Sequence, residues 1–125
     1  MNKLDLNGRH GIVTGGASGI GFGIVRRMLA SGAEVCLWDR SAERLEQAAT
    51  DLADEGVVKT IQVELTDPAA VKAAAAETKE LFGSIEFLVN CAGIAGKNGK
   101  TWELEPEDWT SVIDVNLNGV FFCCN

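Results

Sequence analysis

Thr14-Gly15-Gly16-Ala17-Ser18-Gly19-Ile20-Gly21 follows the short apolar run His10-Gly11-Ile12-Val13 and precedes a helical pattern from Phe22 to Ser31. A glycine-rich turn between a strand and a helix is a phosphate cradle. Glycine lets the backbone turn sharply and approach a pyrophosphate, and the helix N-terminus offers free N–H groups and a partial positive charge. Gly15, Gly19 and Gly21 are the positions of close approach. Ser18 and Ile20 lie in the same turn, with backbone N–H groups and a hydroxyl to offer. Taken alone, the glycines also fit a plain turn with a glycine-rich helix start. The second feature is Asp39, at the end of the next apolar run, Glu34-Val35-Cys36-Leu37-Trp38. An acid there is placed to accept hydrogen bonds from the ribose hydroxyls of an adenosine. Turn and acid together point to a dinucleotide.

Asp39 also bears on which dinucleotide. A carboxylate accepts from both ribose hydroxyls of NAD. It repels the 2′-phosphate of NADP, which carries about two negative charges. The turn itself, Gly16-Ala17-Ser18, holds no basic residue. Arg40, directly after Asp39, is the dissenting feature, since an arginine there can reach a 2′-phosphate. The reading favours NAD.

Working outward, strands and helices alternate, which means a parallel sheet. The first strand covers Arg9 to Thr14. The first helix starts near Gly19, carries Ile20, Ile24, Val25, Met28 and Leu29 on one face, and stops at Gly32. A second strand runs Glu34 to Trp38. Ser41 caps a helix whose apolar face is Leu45, Ala48, Ala49 and Leu52, ending at Gly56. The third strand is Val57 to Leu65. Asp67-Pro68 reads as N-cap plus first helical residue. That helix carries Val71, Ala74, Ala75, Thr78, Leu81 and Phe82 and stops at Gly83. The fourth strand is Ile85 to Asn90. A loop from Ala92 to Glu105 follows, in which Gly93, Gly96, Lys97, Gly99 and Lys100 signal flexibility. Pro106 opens a last helix with Trp109, Val112, Ile113, Asn116, Leu117, Val120 and Phe121 on its inner side. Right-handed crossovers on this order give an α/β, Rossmann-type doubly wound parallel sheet in the order 3-2-1-4. The crevice for the cofactor then lies at the carboxyl ends of strands 1 and 4. Strand 4 is expected to present an open apolar edge, Phe87-Leu88-Val89.

The chain has 125 residues, a single domain by length, with 11 basic and 18 acidic residues and a net charge of −7. That balance argues against nucleic acid, and no basic cluster exceeds Arg26-Arg27. No apolar run approaches the roughly 18 residues of a membrane span. Met1-Asn2-Lys3-Leu4-Asp5 lacks the apolar core of a signal peptide, so the expected location is cytoplasmic. The cysteines are Cys36, Cys91, Cys123 and Cys124, with no C-x-x-C pair, and the one histidine is His10; no metal site is expected. Cys36 reads as a small buried hydrophobe. Cys91 lies beside the expected cofactor site.

The spacing T-G-x-x-x-G-x-G resembles the short-chain dehydrogenase/reductase family, in its classical branch. Several further motifs fall in the family's order: Asp39, Leu65-Thr66-Asp67, Asn90-Cys91-Ala92-Gly93 and Val115-Asn116-Leu117-Asn118-Gly119. The resemblance implies that Glu64 and Leu65 meet the adenine, the acid through its side chain and Leu65 through its backbone N–H. The family's usual acid there is Asp. It implies that Ala92 and Gly93 let the backbone lie against the cofactor ribose, while Asn90 stabilises the sheet more than it touches ligand; Cys91 replaces the family's second Asn. It assigns Asn116 to the catalytic machinery, holding a water in a proton relay. The bland reading of Asn116 is a core amide bonded to backbone. The family oxidises or reduces small-molecule carbonyl/alcohol pairs with a Ser, a Tyr-x-x-x-Lys pair and this Asn, and its members are commonly homo-oligomers built on the last helix and the next.

The composition contains no tyrosine. Phe121-Phe122-Cys123-Cys124-Asn125 is still apolar at the last residue, with no helix stop. The expectation is therefore residues 1–125 as the N-terminal part of an NAD(P)-binding domain, cut before the second half and inactive alone. The last segment looks like 3-oxoacyl-carrier-protein reductases or sugar and polyol dehydrogenases. The rival is a non-catalytic module that binds NAD or pairs with another chain. An extended-type sugar epimerase is disfavoured, because its turn has the spacing T-G-x-x-G-x-x-G.

Overall fold

A computed structural model describes residues 4–125; Met1–Lys3, part of the N-terminal stretch read above, lie outside the described residues. The elements follow in the order β1 (His10–Thr14), α1 (Gly19–Ala30), β2 (Glu34–Asp39), α2 (Ala42–Leu52), β3 (Val58–Gln62), α3 (Pro68–Phe82), β4 (Phe87–Asn90), α4 (Pro106–Ile113) and α5 (Gly119–Cys124). The four strands form one parallel sheet in the order β3-β2-β1-β4, as the alternation of elements predicts. Thr14 stands opposite Trp38 on one side and Asn90 on the other, so three strands end level.

Successive strand residues point to opposite faces of a sheet. Val13, Val35 and Leu37 pack on one face against Val25 and Leu29 of α1 and Leu45 and Leu52 of α2. Ile12, Cys36 and Trp38 pack on the other with Ile61, Val63 and Val71. Both faces of β1 and β2 are covered, which is why these strands read as continuous apolar runs. Trp38 is 2% exposed. Its Nε1–H donates to Thr78 Oγ1 at 3.1 Å, and that hydroxyl donates to the Ala74 carbonyl at 2.8 Å. The pair lets a buried indole and a buried hydroxyl each find a partner. Cys36 is buried beside them, and desolvation pushes its thiol up to about 11.

The helix ends carry the expected chemistry. Ser41 Oγ accepts from the Arg44 N–H at 3.2 Å, and Asp67 Oδ1 accepts from the N–H groups of Ala69 and Ala70. Gly83 closes α3 at φ +83° with its N–H on the Lys79 carbonyl at 2.7 Å, a conformation that favours glycine.

Several expectations are corrected. Strand 3 stops at Gln62 rather than Leu65, although the Val63 N–H still donates to Asp39 O at 2.9 Å; the chain then turns across the end of β2. Strands 1 and 4 begin at His10 and Phe87, not Arg9 and Ile85. Ile20 is not on the packed face of α1. It is 78% exposed, while Gly21, Val25 and Leu29 make the buried contacts. Leu81, Trp109, Leu117 and Phe121 are exposed as well. The last helix runs from Pro106 to Cys124 without a break but is not one regular α-helix: α4 and α5 are joined by a π-helical turn, Asp114–Asn118, in which the Gly119 N–H reaches back to Asp114 O. The extra residue turns the following face by about 100°, so a single helical period does not describe both halves. Among the described residues β4 pairs with β1 alone, and Phe87, Leu88 and Val89 are half-buried along its other edge.

Candidate functional site

The level ends of β1, β2 and β4 open into one groove of about 280 Å³ at the carboxyl edge of the sheet. Strand order reverses between β1 and β4 there, which is where doubly wound sheets hold ligands. The first wall is the turn after β1, with Gly15, Ser18, Ile20 and Gly21. The second is the end of β2 and the start of α2, with Asp39, Arg40 and Arg44. Glu64 and Leu65 after β3, and Cys91, Ala92, Gly93 and Ile94 after β4, close the others; Val115 of the π turn completes the lining.

The glycines of the turn have separate physical reasons. Gly15 lies at φ +63°, and a Cβ on it would stand 2.9 Å from Ala92 Cα. Gly21 is buried, and a Cβ there would collide with the Gly15 carbonyl. Gly19 lies at φ +57° with open space where its Cβ would be. This is a cradle that side chains would fill or strain, and it suits a phosphate group that must come close to the backbone.

The floor is tied together by Thr14, which is 1% exposed. Its Oγ1 accepts from the N–H groups of Cys91 and Ala92, each at 3.1 Å, and donates to Val89 O at 3.4 Å. Gly15 N–H donates to Trp38 O at 2.8 Å, which anchors the turn to β2. Asp39 Oδ1 accepts from the Ser41 N–H at 3.0 Å, so the carboxylate is oriented before any ligand arrives.

Most sequence-predicted residues thus come together. Gly19, Asn90 and Asn116 do not line the groove. Asn90 is exposed and its Nδ2 lies 3.5 Å from Cys124 Sγ. Sequence reasoning missed Thr14, Trp38, Val63, Arg44, Ile94 and Val115. Arg44 had a local signal, since it follows the Ser41 cap by one turn; Ile94 and Val115 had none, because folding alone brings them to the groove.

The model of the family described as short chain dehydrogenase matches residues 9–125. The chain belongs to that family. It is 40% identical to a 2-dehydro-3-deoxy-L-rhamnonate dehydrogenase (NAD(+)) of a Sphingomonas species over 93% of this chain and 45% of the relative. It is 35% identical to a 3-oxoacyl-[acyl-carrier-protein] reductase of Chlamydia muridarum over all of this chain and 50% of that protein. Among solved structures it is similar to a 3-ketoacyl-(acyl-carrier-protein) reductase from Brucella melitensis complexed with NADH. That match has a TM-score of 0.89 and 31% identity, over 95% of this chain and 48% of the other. The chain spans about half the length of the curated relatives it matches.

In this short-chain dehydrogenase chain, Asn116 sits inside the π turn. Its Oδ1 accepts from the Ile94 N–H and its Nδ2 donates to the Ile94 carbonyl, both at 2.8 Å. The amide is bonded to backbone, as the bland reading has it, but at the surface rather than in the core. Its effect is to hold Ile94, and with it Gly93, against the groove. Glu64 is exposed, with Oε1 accepting from Thr66 Oγ1 at 3.1 Å. Among the described residues no cluster suits a metal ion, and no helix is long and apolar enough to cross a membrane.

Proposed function

We propose that residues 1–125 are the nucleotide-binding part of an NAD-dependent oxidoreductase that exchanges a hydride between a nicotinamide and a small carbonyl or alcohol substrate. The observation that carries this reading is the shared groove of Asp39, Gly15 and Gly21. The free face of the Asp39 carboxylate takes the ribose hydroxyls, and the backbone of the glycine turn takes the pyrophosphate. Glu64 and Leu65 lie where an adenine would rest, and Ala92 and Gly93 keep the nicotinamide-side wall low. When bound, the dinucleotide would give a hydride in its reduced form or take one in its oxidised form; the chain binds and orients it.

Asn116 acts here as a positioning residue. Its side chain is engaged on the backbone of Ile94, which fixes the loop after β4 beside the groove. The chain has no tyrosine, and the 125 residues alone are proposed to bind cofactor without turnover. The exposed apolar side chains Trp109, Leu117 and Phe121 support self-association through α4 and α5. The four free thiols suit a reducing, cytoplasmic setting.

The test is a titration of the purified chain with NADH, followed by nicotinamide fluorescence. Saturable binding that is lost in Asp39→Ala supports the reading. No binding at millimolar NADH, or binding indifferent to Asp39, overturns it. Turnover of a carbonyl substrate by the 125-residue chain would overturn the statement that it binds without reacting.

A further inference from the structure

Trp38 borders the groove, yet its indole is buried between the sheet and α3. The backbone at this point holds two walls together. The Trp38 carbonyl accepts from the Gly15 N–H at 2.8 Å, and the Asp39 carbonyl accepts from the Val63 N–H at 2.9 Å. The dipeptide Trp38-Asp39 is thus a crossbar. On one side it carries the glycine turn, and on the other the segment that leads to Glu64 and Leu65. Its second residue also supplies a groove carboxylate. Where the crossbar sits sets how far apart these walls stand.

A single side-chain bond fixes the crossbar from α3. Thr78 is fully buried and lies 40 positions further along the chain. Its hydroxyl has one proton, which goes to the Ala74 carbonyl at 2.8 Å. A β-branched side chain is stiff about χ1, so the acceptor side of the oxygen is held in one direction. It accepts from Trp38 Nε1–H at 3.1 Å. The Cys36 thiol, 3.7 Å from the same oxygen, is a weak acceptor and does not replace it. Ile61, Val63, Val71 and Ala74, packed around the ring, bring apolar side chains. Without Thr78 the indole N–H is stranded, and an unmet buried donor costs more than the bond gains when made. A ring that shifts to relieve this carries the end of β2 with it.

We propose that Thr78, which lies outside the groove, is a positioning residue for it: through Trp38 it sets the spacing between the glycine turn, Asp39 and the Glu64-Leu65 segment. The proposal rests on the reading of the groove as a nicotinamide dinucleotide site. A dinucleotide meets the turn and Asp39 at once, so its affinity depends on walls already held at the right distance. Thr78 touches no cofactor atom. It acts through a buried network in which each polar group has its partner.

The experiment pairs amide hydrogen exchange with NADH fluorescence titration on wild type, Thr78→Val and Thr78→Ser. Leu52→Val is the control, because it trims a buried side chain at the last residue of α2, on the other face of the sheet. Thr78→Val should speed exchange of the Gly15 and Val63 amides about tenfold more than that of Glu34, the scale of one stranded buried donor. The Glu34 N–H bonds the Arg9 carbonyl at the far end of β2. Thr78→Val should also weaken NADH about fivefold, and Thr78→Ser should bring both readings back to within about twofold of wild type. Leu52→Val should leave NADH within about twofold. Should the valine variant not fold, Trp38→Phe removes the N–H from the other end of the bond and is read in the same way. Unchanged NADH affinity in Thr78→Val overturns the proposal, whether or not exchange at Gly15 is faster. Equal weakening of NADH in Leu52→Val also overturns it, since lost stability alone would then account for the effect. Both of these outcomes leave the NAD reading standing. A wild-type chain that binds no NADH overturns that reading, and the proposal with it.

Discussion

The buried hydroxyl of Thr14 accepts the backbone N–H of Ala92 at 3.1 Å. Ala92 is also the residue that would touch a Cβ on Gly15. One side chain at the end of β1 therefore sets how closely the two walls of the groove approach. Thr14→Val keeps the shape and removes the acceptor, stranding the N–H groups of Cys91 and Ala92. The expected loss is about 2 kcal/mol of unfolding free energy, with a weaker NADH affinity. Thr14→Ser should restore most of both. Urea unfolding of the two variants decides the matter: equal stability of Val and wild type would show that the clamp carries nothing.

The glycines should separate by mechanism. Gly19→Ala meets open space but holds a left-handed backbone, so it should cost about 1–2 kcal/mol. Gly21→Ala drives a methyl into the Gly15 carbonyl and should cost more, about 3 kcal/mol, and abolish cofactor binding with it. Thermal melts of the pair provide the ranking. The reverse order would mean that the turn yields more easily than its contacts indicate.

Thiol chemistry should follow burial. Desolvation pushes the Cys36 and Cys123 thiols up to about 11, and for Cys123 the adjacent Cys124 adds to it. Both should resist iodoacetamide near neutral pH, because the thiolate is the nucleophile. Cys124, exposed, should label first, and Cys91, on the groove wall, should be shielded by NADH. Mass spectrometry of peptides after timed labelling reads all four sites. Early labelling of Cys36 in the folded chain would contradict the packing under Trp38.

At the opposite end of β1, His10 lies 3.3 Å from Glu34 and 3.4 Å from Glu86 and stacks on Phe82. The Ser84 hydroxyl, and after it the His10 backbone N–H, hold the Glu86 carboxyl below the usual carboxylate range. A carboxyl with a lowered folded pKa stabilises the fold above its unfolded value of about 4.3 and loses that contribution as pH falls through the folded value. Stability should therefore begin to drop as pH falls below about 5 and go on dropping through the lowered folded value, and the drop should be smaller in Glu86→Gln. Parallel pH profiles for the two proteins would remove Glu86 from the account.

The sequence by itself determined the order of strands and helices, the sheet topology and most of the groove. These rest on local chemistry: glycine at positive φ, Ser41 and Asp67 at helix starts, and apolar runs long enough to be covered on both faces. Asp39 and the turn were legible because both stand at strand ends, and a parallel sheet brings all its carboxyl ends to one edge. Tertiary structure alone decided the rest. The helical period says which residues share a face, not which face meets the sheet, so Ile20, Leu81 and Trp109 were placed inside and are exposed. The π turn shifted the register of the last helix and left Asn116 paired to Ile94. The Thr14 clamp joins residues 78 positions apart, and Arg44 joins the groove only once α2 packs beside β2. Long-range contacts of this kind depend on how elements stack, and no local pattern encodes them.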